Sequence, residues 1–202
     1  MLQEIFKYIE DNKEIYLKDL FGLLRKRSIS AINEGMEDCA EYLAEEMRKV
    51  GISTTIFPTK RHPIVFGEVG PDNAPTVLIY GHYDVQHPEP LELWDSDPFE
   101  PEVRDGKIFA RGSSDNKGQL FAHIKGVQAY KEVAGELPIK MKFLFEGEEE
   151  ISSPNLEPFV ENNKDLLKCD LFILSDSHVH ESGNPILVLG LKGMLYVELI
   201  LK

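Results

Sequence analysis

The sequence predicts an α/β domain in which a mostly parallel sheet is covered by helices on both faces, three layers in all. Three observations point there. Short apolar runs alternate along the chain with segments whose apolar residues recur every three or four positions. The run Val77-Leu78-Ile79-Tyr80, set between Pro75 and Gly81, lacks polar alternation, as expected of a strand buried on both faces. Finally, the runs end at glycine, acidic residues or histidine, and the carboxyl ends of strands are where open α/β sheets place their ligands.

Taken in order, Leu2, Ile5, Phe6 and Ile9, then Leu17, Leu20, Phe21 and Leu24, mark one or two amphipathic helices before the basic stop Arg25-Lys26-Arg27. Met36, Ala40, Leu43, Ala44, Met47 and Val50 outline another, closed by Gly51. Strands are expected over Ile52–Phe57 and Val77–Tyr80. The pair Asp105-Gly106 between two extendable runs predicts a hairpin, because both central residues of such a turn need positive φ. A helix follows through Leu120, Phe121, Ile124, Val127 and Tyr130. Further strands are expected over Ile139–Phe145, Leu171–Leu174 and Ile186–Leu189, and Val197–Lys202 reads as the start of one more.

Composition narrows the function. The 202 residues carry 22 Lys and Arg against 35 Asp and Glu, a net charge of -13. Nucleic-acid binding draws its affinity from cationic side chains displacing counterions, so nucleic acid is excluded as a partner and cations are favoured. The most apolar stretch, Ile186–Leu201, is interrupted by Lys192 and Glu198, and no signal-peptide pattern opens the chain, so no membrane role is expected. With only Cys39 and Cys169 there is no disulfide framework and no Cys-x-x-Cys zinc knuckle, which suits a reducing cytoplasm.

The chemistry gathers at the strand ends. After Val77–Tyr80 comes Gly81-His82-Tyr83-Asp84; after the hairpin come Ser113-Ser114-Asp115-Asn116. Glu146-Gly147-Glu148-Glu149-Glu150 follows the next strand, and Ser175-Asp176-Ser177-His178 the one after it. So many carboxylates in one crevice repel one another unless a cation neutralises them, and zinc accepts this mixture of imidazole nitrogen and carboxylate oxygen. His82 is read as a metal ligand and Asp84 as the carboxylate that orients its other ring nitrogen. Singly, each piece has an ordinary reading: a His-x-Asp turn, a solvated helix start at Glu148-Glu149-Glu150, an N-cap at Ser175-Asp176. The ordered set is what outweighs them.

The phrases YGHYDVQ, WDSDPFEPEVRDGKIFARGSSDNKGQ, LFEGEEEISSPNL, LSD and LGLKGMLYVEL together resemble the two-zinc exopeptidase and deacylase family of carnosinases, cytosolic dipeptidases, acetylornithine deacetylase and glutamate carboxypeptidase, its dipeptidase branch above all. The resemblance runs from about Val65 to the last residue. It implies a three-layer α/β/α zinc-exopeptidase catalytic domain over 1–190, incomplete, with 191–202 as the first strand of a lid and dimerisation domain that is otherwise missing. It implies that His82 and Asp176 bind one zinc, that Asp115 bridges two and that Glu150 binds the second, with Mn or Co as alternatives. Glu149 would be the general base, Asp84 would orient His82, and the Asp115-Asn116 peptide would be cis. Ser152 stands where the family commonly has glycine, a mild departure, and one further histidine ligand lies in a downstream region that the 202 residues do not contain.

The implied reaction is hydrolysis of the amide bond of a small peptide or N-acyl amino acid. A water acidified by two metal ions gives its proton to Glu149, which returns it to the leaving amine. The full-length protein would be a homodimer in the cytoplasm, and this chain alone would be catalytically crippled, holding the second metal by two protein ligands only. His62, His87 and His123 read as surface or packing residues, and His178 and His180 as possible substrate contacts. Lys117 and Arg111 read either as receivers of a substrate carboxylate or as structural partners of the acidic cluster. Two rivals remain: a non-catalytic metal-binding or peptide-binding domain, and a serine acyl-enzyme built on Ser114-x-x-Lys117.

Overall fold

The computed structural model describes residues 1–177, 182–184, 186–190, 192–193, 195 and 197–201. Helices α1 (Leu2–Asp11), α2 (Lys13–Leu24) and α3 (Met36–Lys49) open the chain. Gly51 follows α3 at φ 76, the left-handed conformation that ends a helix without a Cβ clash. Then come β1 (Ser53–Phe57), β2 (Ile64–Val69) and β3 (Thr76–His82), followed by the ribbon β4 (Glu102–Arg104) and β5 (Lys107–Phe109). Helix α4 (Lys117–Ala134), β6 (Lys140–Glu146), α5 (Leu156–Asn162), α6 (Lys164–Leu167) and β7 (Leu171–Leu174) complete the regular elements. The ribbon turns at Asp105 (φ 50) and Gly106 (φ 73), the two positive dihedrals that the sequence demanded.

The central sheet has the order β1-β2-β6-β3-β7. Four of its strands run one way; β2 is reversed and pairs antiparallel with both β1 and β6, while β3 pairs parallel with β6 and with β7. Sequence reasoning assigns no element to β2, whose apolar run is broken by Gly67 and Glu68. That glycine has a packing cause: a Cβ there would come 2.3 Å from Met47 Cε and 2.7 Å from Ile52 Cγ2.

Strand side chains alternate between two cores, as period-two geometry requires. Val65, Ile79, Phe143 and Phe145 face α2, α3 and α4 and join Leu23, Leu43, Met47, Leu120 and Ile124 in the larger core. Ile64, Phe66, Leu78, Tyr80 and Leu144 face the other way, onto Phe159 of α5 and Leu167 of α6. The sheet is thus covered on both faces, as expected.

Beyond β7 the expectation fails in two places. No strand forms over Ile186–Leu189, where Leu187 is 83% and Leu189 90% exposed. An apolar run becomes a strand only when a neighbour accepts its backbone hydrogen bonds, and the sheet ends at β7 among the described residues. Residues 197–201 likewise form no strand, and Lys202 lies outside the described residues.

Candidate metal centre

Register brings the strand ends together. His82, the last residue of β3, pairs with Glu146, the last of β6, and Tyr80 pairs with Leu174, the last of β7. The segments that follow must therefore leave the sheet along one edge. Asp115 enters this edge from the loop before α4, through an Asp115-Asn116 peptide that is cis, as the resemblance implied.

His82 lies at the centre, its side chain 0% exposed. Its Nδ1 sits 3.1 Å from the carbonyl oxygen of Asp84 and 3.3 Å from Asp84 Oδ1. The proton is thereby held on that side, and Nε2 faces the carboxylates: 3.0 Å from Asp115 Oδ1, 3.4 Å from Asp176 Oδ2 and 3.9 Å from Glu149 Oε2. A tetrahedral zinc shell with bonds of about 2.0–2.2 Å has donor–donor edges of roughly 3.3–3.6 Å. The donors of His82, Asp115 and Asp176 thus already stand near the separations that such an ion needs.

Two donor groups emerge, His82 with Asp115 and Asp176, and His82 with Glu149 and Glu150. Asp115 falls with Asp176 and not with Glu150, although the resemblance expects it between two ions. Burial opposes a charge on His82, but the hydrogen bond to Asp84 and the fields of Asp84, Asp176 and Glu149 push its pKa up to about 9. Burial raises Glu149, an effect that His82 opposes and that Asp176, Asp84 and Asp115 reinforce. Glu150 is raised by burial too, against a hydrogen bond from Gln86 Nε2 to its Oε2 at 2.8 Å. Carboxylates resisting ionisation around an imidazole that favours it describe a pocket short of positive charge, which a divalent cation would supply.

Asp84 does more than orient a ring. Its buried oxygens accept the backbone N–H groups of Glu149 (3.2 Å) and Glu150 (3.0 Å), so one carboxylate fixes both the histidine and the turn that follows β6. Gly147 in that turn is required by Tyr83, whose Oη would lie 2.4 Å from a Cβ there. The run of glutamates is not a solvated helix start. Glu148 is buried and accepts from His62 N (2.8 Å), Asn155 N (3.1 Å) and Asn155 Nδ2 (2.9 Å), while Glu149 and Glu150 open a short 3-10 turn toward His82. Ser152 closes this turn at φ 71 and Ser153 follows at φ 49. At Ser152 a side chain thus occupies a left-handed position that glycine adopts without strain, the physical content of the departure from glycine.

Other residues near the site have no side-chain role in the sequence reading. Glu146 is buried, accepts from Tyr80 Oη (2.5 Å) and Ser153 Oγ (2.8 Å), and is raised chiefly by burial. Asn116 and Gln86 also touch the donor residues directly. Motif spacing could not single these out, because their roles rest on contacts between distant segments. Lys117 is fully buried and donates to the carbonyls of Leu23 (3.4 Å) and Lys26 (2.5 Å), closing the end of α2. Its side chain is spent on those two carbonyls, in keeping with the reading of a structural partner. Arg111 lies over the Trp94 ring and donates to His87 O at 3.3 Å. His62 is buried against Ser30 O (3.1 Å), His87 is half-exposed, and His123 meets Ser175 Oγ at 2.8 Å. His178 and His180 lie outside the described residues.

The fold and this donor set place the chain in the class of α/β/α domains that can gather a divalent cation at the carboxyl edge of the sheet. Comparison with known proteins makes the class specific. The sequence model of peptidase family M20/M25/M40 matches residues 78–192, and the chain belongs to that family. It is 36% identical to a mouse Beta-Ala-His dipeptidase over all of its own length and 45% of that protein's. It is 30% identical to the Cys-Gly metallodipeptidase dug1 of Schizosaccharomyces pombe, covering 98% of this chain and 45% of the relative. Among solved structures, the M20 family metallo-carboxypeptidase Sso-CP2 of Sulfolobus solfataricus aligns at 40% identity with a TM-score of 0.80, over 84% of this chain and 39% of that one. Human carnosine dipeptidase 1 aligns at 29% identity with a TM-score of 0.82, over 88% and 41%. The chain thus spans about half the length of the relatives it matches. Among the described residues, no helix is long and apolar enough to cross a membrane.

Proposed function

We propose that this chain is the metal-binding half of a metal-dependent peptidase that hydrolyses the amide bond of small peptides, or of N-acyl amino acids, in the cytoplasm. The observation that carries the reading is the orientation of His82, with Nδ1 held by Asp84 and Nε2 turned to carboxylates from separate segments. His82, Asp115 and Asp176 would hold one divalent ion, zinc by the chemistry of the donors, with Mn or Co as substitutes. Asp115 and Glu150 would contribute to a second. When bound, the ions would acidify a water and polarise a scissile carbonyl.

The protein's own part is proton traffic and orientation. Glu149, 3.9 Å from His82 Nε2 and half-buried, takes a proton from the attacking water and delivers it to the leaving amine. Burial raises its basicity above that of an ordinary carboxylate. Asp84 keeps His82 and the Glu149 turn in register. Dipeptide substrates are supported by the names of the mouse and fission-yeast relatives. Residues 191–202 would begin a lid and dimerisation domain carrying a further histidine ligand, the full-length protein being a homodimer; nucleic acid and membrane play no part.

The test is metal content and dipeptide hydrolysis measured on the same preparation. The expected result is zinc uptake that depends on His82, with weak turnover by the 202 residues alone. Chelator-insensitive hydrolysis would overturn the metal reading. Tight uptake of two ions with full turnover would overturn the proposed dependence on a further histidine.

A further inference from the structure

We infer that Asn116 is a positioning residue that holds Asp176 and His82 in the geometry of a cation site, an inference that rests on the metal reading above. Asn116 immediately precedes α4 and is 1% exposed. Its amide is spent entirely on the site. Oδ1 accepts the backbone N–H of His82 at 3.2 Å, and Nδ2 donates to Ser175 O at 2.8 Å and to Asp176 Oδ1 at 3.0 Å. Only an amide offers an acceptor and two donors on one short planar group. A carboxylate of the same shape would have no donor and would face two oxygens.

The surroundings are built for this side chain. A Cβ on Gly81 would come 2.6 Å from Asn116 Oδ1, so the residue before His82 is glycine because the amide lies against the backbone there. The Asp176 loop needs such a hold. It leaves β7, the edge strand among the described residues, whose Leu171, Phe172 and Leu174 are each more than half exposed, so its own strand restrains it little. A second tie comes from the same face of α4, where His123 stands two turns after Asn116 and meets Ser175 Oγ at 2.8 Å. The two oxygens of Asp176 thereby divide: Oδ1 is anchored by Asn116, and Oδ2 is presented 3.4 Å from His82 Nε2.

Calorimetric zinc titration of four proteins tests this: wild type, Asn116→Ala, Asp176→Ala and the double variant. In the wild-type background Asn116→Ala is expected to weaken the tighter ion by about 10–100-fold, the usual cost of losing a group that orients a ligand. In the Asp176→Ala background the same change should cost clearly less than in the wild type, because one of the two groups it positions is gone and only the tie to the His82 backbone is left to lose. A purely structural residue would lower the melting temperature of the metal-free protein without this non-additivity. Equal losses in both backgrounds, or none in either, would overturn the inference. If circular dichroism shows Asn116→Ala to be unfolded, Asn116→Ser takes its place in the same cycle. Wild-type protein that takes up no zinc would sink the metal reading and this inference together; wild-type uptake with unchanged affinity in Asn116→Ala sinks this inference alone.

Discussion

The two sides of the site are built to different standards. On one, His82 and Asp84 have fully buried side chains, Asp176 is anchored through Asn116, and the donors stand close together before any ion arrives. On the other, Glu149 is 39% exposed, and the Glu150 carboxylate is held by one hydrogen bond from Gln86 among the described residues. Burial and hydrogen bonding fix a side chain before binding, so the first side is preorganised and the second is left to be completed. The contrast also separates tasks: a rigid half suits holding an ion, and a half-exposed carboxylate suits exchanging protons with water and substrate.

The sharpest way to probe this division is Glu149→Gln, made in a protein containing every ligand. Hydrolysis of dipeptides should fall by about a hundredfold to ten-thousandfold while metal content stays near wild type; wild-type turnover would remove Glu149 from the role of base. His82→Ala should instead cost the ion that His82 would hold with Asp115 and Asp176. A loss of affinity exceeding about a hundredfold is expected by calorimetry, more than removal of a supporting partner costs. Unchanged affinity for that ion would remove His82 from its ligands.

Gln86→Ala addresses the weaker side alone. Competition with a graded chelator should show the second ion loosened by about tenfold and the first unaffected; equal loosening of both would mean that the halves are mechanically coupled. The smallest expected effect is Ser152→Gly. At φ 71 glycine avoids the cost of a left-handed side chain, so unfolding in denaturant should show a gain of about 0.5–1 kcal/mol. A loss of stability would mean that the serine makes a contact worth more than the strain.

Much of this architecture is legible in the sequence. The apolar runs became β3, β6 and β7, Asp105-Gly106 made its hairpin, and Gly51 ended its helix, because these signals act through residues adjacent in the chain. The strand-end residues His82, Asp84, Asp115, Glu149, Glu150 and Asp176 were likewise readable, since the carboxyl edge of an α/β sheet collects whatever follows each strand. The run Ile186–Leu189 misled for the complementary reason: apolarity is a local property, whereas a strand needs a neighbour.

What only the tertiary structure decided were the relations between segments far apart in sequence. The reversal of β2 depends on pairing partners on both sides. The fates of three adjacent glutamates diverge because His62 and Asn155 saturate Glu148, while Asp84 pins the N–H groups of its two neighbours. Lys117 disappears beneath α2, and Asn116 reaches across to Asp176. Sequence alone determined which chemical groups arrive at the edge of the sheet, because strand and turn preferences are written within a few residues. Which group holds which was set by register, burial and contacts of a few ångströms, and those exist only once the chain has closed on itself.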